Sequence, residues 1–485
     1  MQTQPQADLV ITGGIVVTHE AEHRADVAVR DGIVIAIGDP VTMPPARETL
    51  DATGKHVLPG AIDVHVHTRD PGYPHKETWE SATAAAAMGG VTSIFDMPNT
   101  NPPTGTPEAL REKLTLANEQ AYVDFGVYGL LAEDNIHHLK ALVDGGVIGF
   151  KCFMGNTFGN LPSPSTGAML EGFEIIAPTG LRVSLHAETA SIMAWRYDRL
   201  RAAGRHDPLA HVAARPAVVA VEAVTRAAVL SEWTGARIHV LHVSSGAELR
   251  PLREAKARGV DVTAETCPHY LLFDTRDYAE LGSLIRVNPP VREASDASAL
   301  WDGLKDGTLD MIATDHAPHS PEEKHNDVIW DADCGFPGVE TQMPLMLTAV
   351  NQGQITLPEY VRMASVAPAK AWGLYPRKGA IVPGADADIT IVDMAQCATL
   401  DQSKLHSVRA RISPFHGRSV TGLPIHTLVR GQFVMRDRAL VSDARGHGMS
   451  LQRVQQMPAP EVRNQDLTLA AELALAPLNQ QEAMP

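Results

Sequence analysis

Two histidines lie two positions apart at the end of an apolar run early in the chain. The run Ala61–Val66 has strand composition, and residues i and i+2 of a strand point to the same side, so His65 and His67 should lie side by side. Arg69 follows on the next loop, where Asp-Pro-Gly at 70–72 is typical of a turn. Imidazole pairs bind metal ions when further ligands are near. The rest of the chain must therefore supply the partners.

Four further polar side chains end short apolar runs later in the chain. They are Lys151, His186, His242 and Asp315. Together with the first pair they make four imidazoles, a carboxylate and an amine, and such nitrogen and oxygen ligands suit zinc. A buried imidazole without a partner is costly, which favours one shared site.

Lys151 is the unusual member of this set, because a metal cation repels a protonated amine. It fits the site only as a deprotonated or chemically modified lysine. His239 lies three residues before His242 on the same run, so it should face the opposite way and serve packing or support a ligand.

Eight short apolar runs alternate with stretches of helical composition between residues 59 and 370. The runs are Ala61–Val66, Val91–Asp96, Asp124–Leu130, Gly149–Phe153, Arg182–His186, Arg237–Val243, Asp261–Cys267 and Met311–Thr314. The helical stretches include Trp79–Met88, Pro107–Gln120, Ala213–Trp233 and Ser245–Arg258. This alternation predicts an α/β fold, a (β/α)8 TIM barrel, whose functional side chains project from the carboxyl ends of the strands. A doubly wound open sheet is the alternative.

Both ends of the chain carry a different pattern. Residues 9–17 and 25–38 predict short strands that turn at Gly-Gly and Asp-Gly, forming a small antiparallel β unit. Similar strands return at 384–393 and 427–435. We therefore expect the two ends to pair into one β-sandwich with the barrel inserted between them.

These patterns divide the chain into three parts. We predict a small β-sandwich domain from residues 1–58 and 371–450, a barrel from 59–370, and a C-terminal tail from 451–485. The Ala- and Leu-rich stretch Leu467–Leu478 suits either a terminal arm on a neighbouring subunit or a loosely held end.

Composition narrows the class of partner. The formal charge of −16 argues against nucleic acid or an anionic membrane, since both need clustered Lys and Arg. The four cysteines lie far apart, which fits reduced thiols in a cytoplasmic protein. The N-terminus lacks the features of a signal peptide, and no 18 consecutive residues are apolar, so we expect no membrane span.

The strand-end motifs, taken in order, resemble the amidohydrolase superfamily, and within it the cyclic amidases: dihydroorotase, hydantoinase/dihydropyrimidinase and allantoinase. The resemblance runs from the first β unit to about residue 440. It implies two divalent ions, usually zinc, bridged by a carboxylated lysine. The ligands it implies are His65, His67 and Asp315 for the first ion, His186 and His242 for the second, and carboxylated Lys151 between them.

The resemblance also implies a mechanism. A metal-bridged hydroxide attacks the ring carbonyl, which one ion polarises. Asp315 acts as general base and then as general acid, passing the proton to the departing ring nitrogen. No Ser-His-Asp or Cys-His arrangement is required.

Four stretches resemble the dihydroorotase pattern. They are His-Val-His-Thr-Arg-Asp-Pro-Gly at 65–72, Met-Pro-Asn-Thr-Asn-Pro at 97–102, and the pair Val-Asn-Pro-Pro-Val-Arg at 287–292 and Asp-His-Ala-Pro-His at 315–319. They imply that Arg69 holds a substrate carboxylate as a bidentate fork, assisted by Asn99, with Asn288 and His319 as further substrate contacts. Pairing of Arg69 with Asp70 or Glu77, and plain turn chemistry at Asn99, are the alternatives.

Other features leave the identity of the substrate ring undecided. Asp70 stands where the dihydroorotase motif carries Glu, and Thr-Cys-Pro-His-Tyr-Leu at 266–271 is more similar to hydantoinases and allantoinases. Dihydroorotate, in pyrimidine metabolism, is the first expectation, with hydantoin, dihydropyrimidine, allantoin or another carboxylated ring as alternatives. Two other classes are a non-catalytic homologue acting as an assembly partner and a metal-dependent deaminase on the same fold. The deaminase is disfavoured because such enzymes resemble a one-metal pattern without the lysine of the fourth strand. The resembled families imply a homodimer or homotetramer.

Overall fold

The computed structural model describes residues 6–155, 157–158, 161, 163–407 and 411–451. Apart from Leu451, the predicted C-terminal tail with its stretch Leu467–Leu478 lies outside the described residues.

The first strands of the chain precede the barrel. They are β1 Ala7–Thr12, β2 Ile15–Val17, β3 Glu22–Arg24, β4 Asp26–Arg30, β5 Ile33–Gly38, β6 Ala46–Asp51 and β7 His56–Pro59. The last strands follow it and are β16 Ile389–Thr399, β17 Ser419–Val429, β18 Gln432–Arg436 and β19 Ala439–Leu440.

Eight parallel strands form the predicted barrel between these groups. They are β8 Ala61–Val66, β9 Val91–Asp96, β10 Asp124–Leu131, β11 Gly149–Phe153, β12 Arg182–His186, β13 Arg237–Val240, β14 Val262–Thr266 and β15 Met311–Ile312. Their order in the sheet follows the chain from β8 to β15. The ring closes where Val66 bridges His316 and the backbone N–H of His67 donates to the His316 carbonyl at 2.8 Å. The TIM barrel prediction is confirmed, and the open sheet is excluded.

The helices lie between the barrel strands and after them. They are α1 Trp79–Met88, α2 Pro107–Gln120, α3 Leu139–Asp144, α4 Thr166–Ile176, α5 Ala190–Ala202, α6 Pro208–Ala214, α7 Ala217–Thr234, α8 Leu249–Ala257, α9 Pro268–Leu272, α10 Tyr278–Leu281, α11 Ala294–Lys305, α12 Pro321–Lys324, α13 Gln342–Asn351, α14 Leu357–Val361 and α15 Ala367–Ala371. Among the described residues, no helix is long and apolar enough to cross a membrane.

Local sequence explains the main helix boundaries. Thr78 and Thr106 cap α1 and α2 by accepting backbone N–H groups of the first turn. The helix predicted at 213–233 is instead divided, because Pro216 cannot continue α6 and takes the N-cap position of α7. The stretch predicted at 245–258 begins as a 3₁₀ turn, so the α-helix proper begins at Leu249.

The two ends of the chain form two sheets beside the barrel. One has the order β5-β4-β1-β6 and the other β19-β18-β17-β16-β7-β2-β3. The predicted antiparallel unit is found where β4 pairs with β1 and β5, with the Asp-Gly turn between β4 and β5. The turn predicted at Gly-Gly does not form a hairpin, because β1 and β2 lie in different sheets, where β1 pairs with β6 and β2 with β7 in parallel. Each of these pairs is separated in the chain by intervening strands, so the connection is a crossover and not a hairpin. The domain limits given above stay predictions.

Candidate active site

The predicted ligands gather at one end of the barrel. His65 lies on β8, Lys151 on β11 and His186 on β12, while His242 and Asp315 follow the ends of β13 and β15. The histidines and Lys151 are at most 7% exposed, and the side chain of Asp315 is 10% exposed. The carboxyl ends of the eight parallel strands lie at the same end of the barrel, so residues far apart in sequence come together there.

Three of the predicted site residues have a left-handed backbone. The φ angles are +62° at Arg69, +38° at His242 and +48° at Asp315. Such conformations are unfavourable for residues with a Cβ and concentrate at functional sites. The left-handed turns at His242 and Asp315 also end the regular hydrogen bonding between neighbouring strands. For this reason β13 and β15 are shorter than the predicted runs Arg237–Val243 and Met311–Thr314.

The first ligand group is formed by His65, His67 and Asp315. Both Nε2 atoms approach Asp315 Oδ1, at 3.1 Å from His65 and 3.2 Å from His67. The opposite ring nitrogens are occupied: His65 Nδ1 donates to Glu265 Oε1 at 2.6 Å, and His67 Nδ1 donates to Asn99 Oδ1 at 2.7 Å. With Nδ1 protonated, each Nε2 presents a lone pair towards the carboxylate.

Three electron-pair donors facing one another require a proton or a cation between them. Burial, with the nearby Lys151 charge, holds the pKa of His65 well below its usual value, and burial with the Arg69 charge does the same for His67. Because both imidazoles are neutral, the space between them and Asp315 can accept a cation. The ligand atoms of the three residues lie within 4.8 Å of one another. The donor set therefore fits a divalent metal ion.

A second pair of imidazoles lies next to the first group. His186 Nδ1 and His242 Nε2 are 2.9 Å apart, and the ring centroids of His242 and His65 are 5.2 Å apart. His186 Nε2 lies 3.1 Å from Glu188 Oε2, a buried carboxylate that also pairs with Arg215. Orientation through Nε2 leaves His186 Nδ1 as the ligand atom facing His242.

Lys151 is 1% exposed, and its positive charge contributes to the lowered pKa values of His65 and His67 in the first group and of His186 and His242 in the second. Burial lowers the pKa of its amine to about 7. A large fraction of the amine is therefore neutral at neutral pH, which removes much of the charge conflict noted for a lysine beside a metal ion.

Glu265 and Asp63 were not singled out by the sequence analysis. Oε1 of Glu265 accepts the hydrogen bond from His65 Nδ1, and Oε2 lies 3.0 Å from His239 Nε2. His239 thus supports a ligand through Glu265, in keeping with its predicted packing or supporting role. Asp63 accepts the backbone N–H of His65 at 3.1 Å and the hydroxyl of Thr314. The sequence signal for Asp63 was its position inside the largely apolar strand Ala61–Val66, whereas Glu265 lies in a strand with two threonines and gave no such signal.

Arg69 is 1% exposed, and its charge acts on both His67 and Asp315 of the first ligand group. Its Nε donates to the Pro318 carbonyl at 3.3 Å, its Nη2 lies 3.1 Å from His319 Nε2, and its guanidinium carbon lies 4.4 Å from the Phe158 ring centroid. Among the described residues Nη1 has no hydrogen-bond partner, and neither Asp70 nor Glu77 forms an ion pair with Arg69. Burial lowers the pKa of Arg69 to about 10, so the cation persists at neutral pH.

The other predicted substrate residues have distinct surroundings. Asn99 holds His67, as described, so its Oδ1 is already engaged. His319 Nδ1 lies 2.8 Å from both Asp333 Oδ2 and Lys76 Nζ, a buried lysine that the sequence analysis did not select. Asn288 is 9% exposed and lines a cavity next to Phe158.

Comparison with known proteins gives a consistent result over most of the chain. The model of the Amidohydrolase family matches residues 56–434. L-hydantoinase of Paenarthrobacter aurescens is 36% identical over 92% of this chain and 98% of its own length. Allantoinase of Deinococcus radiodurans is 36% identical over 90% of this chain and 98% of its own length. Dihydroorotase of Acetivibrio thermocellus is 35% identical over 89% of this chain and 100% of its own length. The solved structure of L-hydantoinase (dihydropyrimidinase) from Arthrobacter aurescens superposes with a TM-score of 0.90 at 35% identity, covering 92% of this chain and 100% of that chain.

Proposed function

The chain belongs to the amidohydrolase family, and on that premise we propose that it is a metal-dependent hydrolase that opens a carboxylated cyclic amide ring. Hydantoinase, allantoinase and dihydroorotase relatives all hydrolyse the C–N bond of a cyclic amide. The convergence of His65 and His67 on Asp315 is the observation that carries the proposal, because it needs a cation between three lone pairs.

The two ligand groups suit two divalent ions. Their nitrogen and oxygen donor atoms favour zinc. His65, His67 and Asp315 would hold one ion, and His186 Nδ1 with His242 Nε2 the other. Lys151 as a carbamate would bridge them, and its pKa of about 7 supports this, since only a neutral amine combines with carbon dioxide. When bound, the ions would supply an activated water and polarise the ring carbonyl.

Asp315 is the group placed to move the proton. Its carboxylate lies at the centre of the first ligand group, and burial raises its pKa. A carboxylate of raised pKa accepts a proton more readily at neutral pH and can release it to the departing ring nitrogen. Its left-handed backbone and the hydrogen bond from the backbone N–H of His316 to Thr314 fix the orientation of this turn.

The surroundings of Arg69 favour a substrate whose ring carries a carboxylate. A buried guanidinium without an ion-pair partner among the described residues is costly to desolvate, and a substrate carboxylate would complete it as a bidentate pair. Dihydroorotate has such a carboxylate. His319 would hold the guanidinium in place through its contact with Nη2.

A hydantoin or dihydropyrimidine ring is the second candidate, with allantoin after it. The observation that favours it is the whole-chain likeness to an L-hydantoinase structure, at a TM-score of 0.90. A non-catalytic assembly partner is disfavoured because each of the six ligand positions carries a residue able to bind metal.

The decisive experiment offers dihydroorotate, dihydrouracil, hydantoin and allantoin to protein loaded with zinc and bicarbonate. We expect ring opening, and we expect Asp315→Ala to lower turnover about 10²- to 10⁴-fold while the protein stays folded. Asp302→Ala, at an exposed position on α11, is the matched control. No opening of any ring, or unchanged turnover in Asp315→Ala, would contradict the proposal.

A further inference from the structure

A cavity of about 340 Å³ adjoins the substrate side of the active site. Phe158 belongs to its wall and also packs against the proposed substrate residues: its ring centroid lies 4.4 Å from the Arg69 guanidinium carbon and 5.1 Å from the His319 ring centroid. Small-ligand pockets have volumes of about 300–1,000 Å³, so this cavity has room for a substituent in addition to a ring held at the metal-binding group.

The cavity is lined by an unusual concentration of positive charge for a chain of net charge −16. Three arginines face it: Arg201, Arg215 and Arg286. Arg215 is ion-paired with Glu188. Of the two aspartates in the wall, Asp333 is engaged by Lys76 and His319, which leaves Asp331 against Arg201 and Arg286.

Arg286 is also buried, at 8% exposure. Its Nη1 donates to the Ala332 carbonyl, while its Nε has no hydrogen-bond partner among the residues that the structure describes. Next to it in the wall, Asn288 is 9% exposed, and within the same described part its Oδ1 also lacks a partner. Buried polar atoms are almost always satisfied, so unpaired atoms on a cavity wall indicate a ligand.

The wall also contains two aromatic rings and the remaining arginines. The rings of Tyr197 and Trp330 pack edge to face at a centroid distance of 5.1 Å. The guanidinium carbon of Arg201 lies 5.4 Å from the Trp330 centroid, and that of Arg215 lies 5.7 Å from the Tyr197 centroid. Stacking on Trp330 holds the Arg201 guanidinium at the cavity without neutralising it, whereas Glu188 neutralises Arg215.

We propose that this cavity, the arginine pocket (Arg201, Arg286, Asn288), receives an anionic arm of the substrate, so that the enzyme opens cyclic amides or ureides whose ring carries a side chain ending in a carboxylate. The inference rests on the proposed function and makes its substrate class more specific. A carboxylate bonded directly to the ring goes to Arg69, whereas a carboxylate on an extended arm passes Phe158 and reaches Arg286. Asn288 Oδ1 accepts an N–H of the ring. An apolar arm would leave Arg286 Nε desolvated and unpaired.

The test compares two rings that differ only in the charge of the arm. The probes are 5-(2-carboxyethyl)hydantoin and 5-(2-carbamoylethyl)hydantoin, offered to the full chain loaded with zinc. Binding is measured by calorimetry and turnover as kcat/KM. We expect the acid to exceed the amide about 10- to 100-fold in both measurements, the range of a hydrogen-bonded charge.

Charge-removing variants locate this preference in the arginine pocket. Arg201→Gln should lower the acid-to-amide ratio about threefold, as expected for an exposed charge, and Arg286→Gln should lower it further. Arg286 also anchors Ala332, so exposed Arg201 is the variant whose fold is secure. Arg199→Gln is the matched control, because Arg199 lies exposed on the same helix α5 over Trp195 and outside the cavity.

The outcomes separate the two proposals. Rings that open with an acid-to-amide ratio near one would overturn the arginine pocket and leave the cyclic amidase proposal standing. Preferential binding of the acid with no ring opened would support the arginine pocket and overturn the proposed function. An equal loss of the ratio in Arg199→Gln would also overturn the pocket, because the effect would then be one of overall charge.

Discussion

The Nδ1 atom of His65 lies 2.6 Å from Oε1 of Glu265, a residue 200 positions later in the chain. The second oxygen of Glu265 lies 3.0 Å from Nε2 of His239, and its first oxygen accepts the backbone N–H of His242 at 3.1 Å. One fully buried carboxylate therefore fixes the tautomer of a proposed metal ligand and the backbone of another.

Glu265→Gln should weaken metal binding. An amide keeps the shape but accepts less strongly from His65, and second-layer partners of this kind contribute about 10- to 100-fold to metal affinity. Zinc titration against a competing chelator measures the change, with the exposed Glu254→Gln as control. Equal zinc affinity in both variants would show that Glu265 is a packing residue.

Arg69→Met should remove activity selectively for carboxylated rings. Dihydroorotate and dihydrouracil differ only in the ring carboxylate, so the ratio of their kcat/KM values isolates the contribution of the guanidinium. Loss of a charge-assisted pair predicts a fall of that ratio of about 10- to 100-fold. Arg69→Lys should give an intermediate value, because an ammonium lacks the bidentate fork. Equal losses for both rings would exclude this role.

Reactivation of metal-free protein should depend on pH and bicarbonate. The Lys151 pKa is lowered from 10.5 to about 7, so its amine is mostly protonated at pH 5.5, half neutral near pH 7 and mostly neutral at pH 8.5. At a fixed concentration of dissolved carbon dioxide, recovery of activity after adding zinc should therefore be faster at the higher pH, because only the neutral amine forms the carbamate. Lys151→Arg cannot form the carbamate and should not recover. A rate that is independent of pH between 5.5 and 8.5 would contradict the assignment.

Lys378 should be essential for stability at a distance from the active site. Its Nζ lies 2.5 Å from Asp124 on the barrel, and 2.9 Å and 2.6 Å from Asp386 and Asp388 at the start of the C-terminal strands. Lys378→Met would leave three buried carboxylates without this cation, which predicts a loss of about 3–5 kcal/mol in the free energy of unfolding. Denaturant unfolding measures it, and Lys404→Met, whose lysine side chain is 82% exposed, is the control. Matching stabilities would show that Arg430, which also pairs with Asp124, is sufficient.

Much of the fold was predictable because its signals are local. Continuous apolar runs such as Ala61–Val66 and Gly149–Phe153 are buried on both faces, as strands of a parallel barrel are, and four of the eight predicted runs have the observed bounds. The proposed ligand residues were predictable for the same reason, since each lies on such a run or shortly after it. The pairing of β1 with β6 was not, because a parallel pair is made by a crossover that leaves no turn signal.

The sequence by itself determined which side chains end the strands, and so the metal-binding composition of the site. Only the tertiary structure decided what each of them contacts. Asn99 holds His67, Glu265 holds His65, and Arg69 packs on Phe158 and not against Asp70, its neighbour in sequence. These contacts join residues from different strands and loops, and left-handed turns at Arg69, His242 and Asp315 redirect the chain where strand periodicity ends. Such contacts depend on how the barrel closes, which no local pattern encodes.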